Sequence, residues 1–255
     1  MPISVNTGMT PDAIRQVLAP GGVLRAGINM SNFLLVSQRT ADGGPAGVSP
    51  EIAAAIATSL GLHIRYVPYP NPGALADAAS RDEWDIALLG AEPQRAEVIA
   101  FTPAYAEIEA TYLVPAGSPL ERMDDVDAQG IRIAVAERTA YGLWLDRNIR
   151  HAELVHAQGL DGSLKAFTEG KLDALAGLRP RLMADVETLP GARLLEGKFM
   201  AVQQAVGVPR AKAAAIDHLT RFVEAIRTDG TVAQLIATFG VKGLSVAGTW
   251  AAPRA

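Results

Sequence analysis

Asp85-Ile-Ala-Leu-Leu-Gly-Ala-Glu-Pro-Gln-Arg95, followed by Ile99-Ala-Phe-Thr-Pro-Ala-Tyr105, is the stretch that decides the fold. A short apolar strand ends in Gly90-Ala91, one turn then presents Glu92 and Arg95, and an aromatic strand follows. Buried strands of an α/β sheet read this way, and the carboxyl ends of such strands are where open sheets bind small molecules. An arginine at that place offers a planar fork of donors suited to a carboxylate.

Upstream, Thr10-Pro11-Asp12 opens an amphipathic helix and Val23–Asn29 alternates as a first strand. Ser49-Pro50-Glu51 predicts a helix start, with serine as cap and proline at the first helical position. The run 52–57 carries that helix toward Gly61, and His63–Pro68 is a second strand. A helix over 73–81 and a strand over 85–89 complete a β-α-β-α-β unit with right-handed crossovers.

The same grammar restarts after residue 130. Strands are predicted at 131–136, 152–156 and 172–176, and helices at 140–149, 160–169 and 180–188. Thr111–Pro115 is read as a strand leading into the loop 116–119. Ala201–Val208 is a strand returning the chain, and helices over 211–228 and 231–239 follow. The expected architecture is α/β in two lobes, each a sheet flanked by helices: 1–114 plus 206–255, and 115–205. The crossings near Tyr112–Pro115 and Ala205–Val208 would be a two-segment hinge, with a ligand cleft between the lobes.

With 255 residues and 49% hydrophobic content, the chain has enough material for two modest cores. Its net charge of −4 gives no basic surplus for nucleic acid. Cysteine is absent, which excludes disulfides, thiolate metal sites and a thiol nucleophile. His63, His151, His156 and His218 fall on separate elements without metal spacing. No glycine-rich phosphate loop, His-Glu-x-x-His or Gly-x-Ser-x-Gly occurs, and no cofactor is expected. No stretch is long and apolar enough for membrane insertion. Met1–Met9 lacks a basic and then apolar signal pattern. A cytoplasmic protein is expected if Met1 is the true start, and a periplasmic one if the chain has been trimmed. A monomer is expected.

The order of elements resembles the family 3 solute-binding proteins, the polar amino-acid receptors of bacterial ABC importers. The resemblance runs from about Leu24 to Gly240. It is carried by Gly47-Val-Ser-Pro-Glu-Ile-Ala-Ala-Ala-Ile-Ala57 with Leu60-Gly61, Trp84-Asp85-Ile86-Ala87, Arg95, and the Ala-Phe-Thr-Pro-Ala-Tyr segment. The loop Pro115–Pro119, Gly130-Ile-Arg-Ile-Ala-Val135 and Gly170-Lys-Leu-Asp-Ala-Leu175 complete it. More closely, the chain is similar to a branch whose members begin with a helix instead of a signal peptide and share Ile108–Pro115. The resemblance implies a type II periplasmic-binding-protein fold, a small-molecule ligand and an ABC permease as partner, or, without export, a cytoplasmic sensor or carrier.

It also implies roles for residues. Arg95 matches the arginine that clamps a ligand carboxylate; the alternative is a surface arginine paired with Glu92 or Glu97. Thr139 matches the threonine that opens the second lobe's first helix, where its hydroxyl meets an anion or simply caps the helix. Arg138 stands where the family usually has glycine, and either adds a second cation to the cleft or points into solvent. Asn29, Ser31, Asn32 and Phe33 match the loop that supplies polar contacts and an aromatic wall, with Tyr105 as a second wall. Tyr141 and Trp144 read better as core.

Three departures change the expected ligand. Asp85 and Arg95 stand closer together than in amino-acid receptors. The usual hydroxyls there are replaced by Leu89, Gly90, Ala91 and Glu92. The carboxylate that holds a ligand amine falls, by position after the structural Asp173, on Leu178. The favoured ligand is therefore a small organic acid with no essential α-amine, held by Arg95 and the Thr139 helix end. Glu92 supplies the missing carboxylate or pairs with Arg95, and Arg179 and Arg181 either add cations or start a solvated helix. The alternative is an enzyme on the same fold, similar to cyclohexadienyl dehydratases, with Glu92 as acid or base. A ligand-free scaffold is the third reading.

Overall fold

The computed structural model describes residues 9–248, so the stretch read for an export signal lies, apart from Met9, outside the described residues. The first elements are α1 (Pro11–Leu18), β1 (Val23–Asn29), β2 (Gln38–Arg39), β3 (Pro45–Ala46), α2 (Val48–Ser59), β4 (His63–Tyr69) and α3 (Pro72–Asp77). They are followed by β5 (Ile86–Gly90), β6 (Ile99–Val114), β7 (Arg132–Ala136), α4 (Ala140–Asn148), β8 (Glu153–Ala157) and α5 (Gly159–Glu169). The rest are β9 (Ala174–Leu178), α6 (Arg179–Thr188), β10 (Arg193–Leu194), β11 (Met200–Pro209), α7 (Ile216–Thr228), α8 (Thr231–Thr238) and β12 (Ser245–Val246). The predicted helix over 211–228 is a 3-10 segment, Arg210–Ala215, running into α7.

The chain divides into two compact units. Residues 9–106, 204–241 and 246–248 form unit 1, and residues 107–203 and 242–245 form unit 2. These divisions differ from the expected boundaries at 114/115 and 205/206. The Pro-Gly loop after Val114 marks the end of a strand. Strand β6 itself is continuous, and the chain changes unit partway along it with no turn residue to announce the change.

In unit 1, β1 pairs in parallel with both β4 and β5, and β11 runs antiparallel beside β5. Trp84 is wholly buried and its indole N–H donates to the Leu75 carbonyl at 3.1 Å, which fixes α3 on the sheet. The approach to β1 is close: a Cβ at Gly27 would lie 2.6 Å from the Leu75 side chain, so a larger residue there would have to displace it. Helix α1 opens with Pro11 after the Thr10 cap and buries Ile14 and Leu18. Arg15 Nη1 donates to the Leu60 carbonyl at 3.0 Å, binding α1 to the end of α2.

Unit 2 repeats this order. Strand β7 pairs in parallel with β8 and β9, and β9 runs antiparallel to the later half of β6. Ile133, Val135, Leu145, Ala174 and Ala176 form its core. Each unit thus holds three parallel strands with the first in the middle, each flanked by helices in sequence. That is the mixed α/β, type II periplasmic-binding-protein architecture.

The start of α2 departs from expectation. Ser49 does not cap it: the helix begins at Val48, with Gly47 in the capping position at φ 144°. A Cβ on Gly47 would lie 2.5 Å from the Leu35 carbonyl oxygen, so only glycine lets the chain pass this closely. Ser49 is therefore already inside the helix, and its buried hydroxyl bonds the Tyr105 hydroxyl at 3.0 Å.

Candidate functional site

On unit 1 the residues singled out in sequence lie at the carboxyl ends of β1 and β5. Asn29 ends β1, and its side-chain oxygen accepts from the Ser31 amide at 3.2 Å and hydroxyl at 2.8 Å. Asn32 does the same for the Leu34 amide at 3.3 Å. Both asparagines hold the loop in a tight local turn, the ordinary use of such side chains. Phe33 stands out of that loop with 41% of its surface exposed.

Strand β5 ends at Gly90, and the chain turns through Ala91 and Glu92 into a 3-10 turn at Arg95–Glu97. Glu92 and Arg95 are each only 4% exposed, a rare state for either side chain. Arg95 Nη1 donates to the Gly90 carbonyl at 2.7 Å, and Glu92 Oε2 accepts the Gln94 amide at 2.9 Å. The turn thus folds its own charged side chains against its own backbone. Glu97, offered as a partner for Arg95, lies in the same 3-10 turn.

Tyr105 is fully buried in unit 1 on Ser49, and burial raises its hydroxyl pKa well above the usual tyrosine value. Its ring lies in the interior, unlike the exposed ring of Phe33. Gln204, absent from the residues expected at the site, opens the second segment of unit 1 on β11 directly opposite Gly90 and is 2% exposed. The signal available for it was a glutamine in phase with Val202, Val206 and Val208, on an otherwise apolar face of the strand.

On unit 2 the corresponding residues follow β7 and β9. Thr139 caps α4: its hydroxyl accepts the Gly142 amide at 3.1 Å and donates to the Ala136 carbonyl at 2.8 Å. The cap therefore uses this hydroxyl both as acceptor and as donor. Arg138, just before it, is exposed and has φ 58°. The left-handed region disfavours a non-glycine residue by about 1 kcal/mol, which is the physical reason a glycine suits this position. Tyr141 is buried in the unit 2 core, and burial pushes its hydroxyl up to about 12. Trp144 packs on Phe199 at 5.5 Å between ring centroids, in keeping with a core role.

Leu178 ends β9 and packs half-buried against the same core. Arg179 turns to Glu109, with Nε donating to Oε2 at 2.8 Å, and Lys198 reaches the other carboxylate oxygen at 3.1 Å. The two cations hold the Glu109 carboxyl below the usual carboxylate range. Arg181 bridges Asp185 at 2.9 Å and Asp161 at 2.7 Å. Both arginines are committed to carboxylates of their own unit, which accounts for their charge without a ligand. Asp173 accepts the Arg132 amide at 2.8 Å at the opposite end of β9, in line with the structural role expected of it.

Two surface pockets touch these residues only at Glu97 and Asp173. One, of about 590 Å³, is lined by Asp82, Glu97, Arg210 and Lys212 with apolar neighbours on unit 1. The other, of about 410 Å³, is lined by Phe167, Leu172, Leu189 and Pro190 on unit 2. Among the described residues no group of three or more His, Asp or Glu side chains is placed to hold a metal ion. No described helix is long and apolar enough to cross a membrane.

Solved structures share the fold across nearly the whole chain. A mutant of ArgBP from T. maritima is 17% identical with TM-score 0.69, covering 92% of this chain and 100% of its own. The amino acid ABC transporter substrate-binding protein AbpA from Streptococcus pneumoniae, bound to L-arginine, is 20% identical with TM-score 0.67, covering 89% and 99%. An ancestral amino acid-binding protein, AncCDT-1, described as a precursor of cyclohexadienyl dehydratase, is 17% identical with TM-score 0.69, covering 90% and 99%. At these identities the likeness is one of fold. No curated protein sequence matches the chain. The sequence pattern of the bacterial extracellular solute-binding proteins, family 3, matches residues 24–242. That match takes in every strand-end residue described above, and the chain belongs to the bacterial extracellular solute-binding proteins, family 3.

Proposed function

We propose that this chain is a solute-binding protein that takes a small carboxylate-bearing metabolite at the strand-end turn that holds Arg95. The observation that carries the reading is Arg95. Its guanidinium is buried at the carboxyl end of β5, and the bond to the Gly90 carbonyl fixes its plane. A pre-set guanidinium is suited to a planar carboxylate, because little rotamer freedom is left to lose on binding. The arginine-bound AbpA supports a ligand of the amino-acid type. Leu178 favours an organic acid over a standard α-amino acid, since a buried ammonium lacking a carboxylate costs several kcal/mol. An ABC permease is the partner this reading calls for.

A second reading, a lyase with Glu92 as acid or base, is favoured by the burial of that carboxyl in the strand-end turn. Turnover of prephenate that disappears in Glu92→Gln would establish it.

The binding reading is tested by thermal melting against amino acids, keto acids, hydroxy acids and dicarboxylates. A ligand in hundredfold excess over its Kd adds about 2.7 kcal/mol, enough to raise the midpoint by several degrees. The expected result is a shift with a carboxylate that is lost in Arg95→Ala. A flat response across the panel, or a shift that survives Arg95→Ala, sinks the reading.

A further inference from the structure

Strand β11 carries two consecutive glutamines in different circumstances. Gln203 is half-buried, and its amide nitrogen donates to Glu107 Oε2 at 3.0 Å and to the Ala201 carbonyl at 3.2 Å. Gln204 is 2% exposed, and its side-chain oxygen makes no hydrogen bond among the described residues. Buried carbonyl oxygens left in that state are rare, because the lost hydration is not recovered. Each one asks for a partner that the chain itself does not provide.

The place of this amide narrows the partner. Gln204 pairs with Gly90 and Val206 with Leu88 in the antiparallel ladder of β11 and β5. Side chains alternate along a strand and directly paired residues share a face, so Gln204 lies on the same face as Val206 and Leu88. Below it the strand is apolar, with Val206 and Val208 wholly buried. Gln204 ends this buried column, at the last paired residue before β5 turns into Ala91 and Glu92. Gly90, its partner, is also the residue whose carbonyl holds Arg95. The amide is therefore placed at the turn that carries the proposed carboxylate clamp, and Gly90 sets no side chain beside it.

We propose that Gln204 is a further specificity residue of the ligand site, whose side-chain oxygen accepts a hydrogen bond from a neutral hydroxyl of the ligand. The substrate class is then a hydroxylated carboxylic acid: the carboxylate goes to Arg95 and the hydroxyl to Gln204. This rests on the carboxylate reading above and adds to it. An oxo acid offers the amide oxygen only a second acceptor, and an unsubstituted acid leaves it buried without a partner. Both are disfavoured on binding.

The test measures Kd by calorimetry for matched acids on the propionate, succinate and phenylpropionate skeletons. Each set holds the unsubstituted, 2-hydroxy, 2-oxo and 2-amino members. In the unaltered protein the hydroxy acid of a binding set is expected to bind about tenfold more tightly than its unsubstituted and oxo partners. Gln204→Met keeps the length of the side chain and removes the acceptor, and Gln204→Leu serves if the methionine variant does not fold. Either should shrink the preference below about threefold while Arg95-dependent binding persists. A preference unchanged in both variants overturns the proposal and is the result expected if the amide only holds a resident water. Binding with no hydroxyl preference, or with a preference for the amino acid, also overturns it and leaves the carboxylate reading standing. Failure of every acid to bind the unaltered protein removes the carboxylate reading, and this inference with it.

Discussion

Asp85 and Arg25 are joined twice through the backbone: the Asp85 carboxylate accepts the Arg25 amide at 2.7 Å, and the Asp85 amide donates to the Arg25 carbonyl at 2.8 Å. Unit 2 repeats the arrangement with Asp173 and Arg132, at 2.8 Å and 3.0 Å. The two differ in burial. Asp85 is nearly inaccessible and also holds the Arg25 guanidinium at 2.7 Å and the Lys212 ammonium, whereas Asp173 is half-buried. Removing one partner of a buried ion pair leaves a charge without compensation, at roughly 3–5 kcal/mol. Asp85→Ala should lose about that much, and Asp173→Ala about 1–2 kcal/mol, closer to a single charged hydrogen bond. Urea unfolding of both variants measures the difference. Equal losses would mean that burial of Asp85 contributes nothing.

Thr139 separates a cap from a ligand contact. Thr139→Ala should destabilise the protein by about 1 kcal/mol through loss of the α4 cap, and Thr139→Ser should restore stability. Carboxylate affinity measured in the same two variants tests whether the hydroxyl also meets a ligand. An affinity that follows stability in neither variant assigns the residue to capping alone.

Lys171 has φ 47° in an exposed turn between α5 and β9. Glycine takes that conformation without the steric penalty of a Cβ, so Lys171→Gly should stabilise the protein by about 1 kcal/mol. The melting midpoint should rise by about 2–4 °C for a chain of this size. A fall would mean that the lysine side chain contributes more than the backbone strain takes away.

Asp127 gives a pH signature in the acid range. Burial pushes its carboxyl up, but the backbone amides of Ala152, His151 and Arg150 outweigh that and hold it below the usual aspartate range. With the folded value below the unfolded one, its contribution is fully present above about pH 3.9 and is lost as pH falls through the folded value. Asp127→Asn should flatten the stability curve over that window and leave its shape at neutral pH unchanged. Denaturant midpoints measured from pH 2 to 7 check the sign.

Local signals made much of this molecule readable from sequence. Thr10-Pro11 and Thr139 cap the helices they were expected to cap, because a cap needs only a hydroxyl and an amide a few residues away. Ser49 carries the same local signal and is used otherwise. Its partner, Tyr105, is 56 residues further along the chain, and the start of α2 is set by the close passage at Gly47. Arg179 likewise looked available for a ligand because Glu109, its partner, is 70 residues away. Gln204 was not legible for a different reason, since its interest lies in what it fails to bond. Local chemistry announced the elements, and long-range pairing decided which side chains remain for a solute.

The mid-strand changes of unit carry a practical consequence for anyone wishing to dissect the protein. Severing the chain at Ala106/Glu107 and Gln203/Gln204 would cut β6 and β11 in the middle of their hydrogen-bonded runs. Each fragment would end in raw strand stubs whose backbone donors and acceptors invite pairing with other chains. Fragments intended to display one unit alone should therefore aggregate, unless the stubs are kept and their unpaired rims are blunted with lysine or proline.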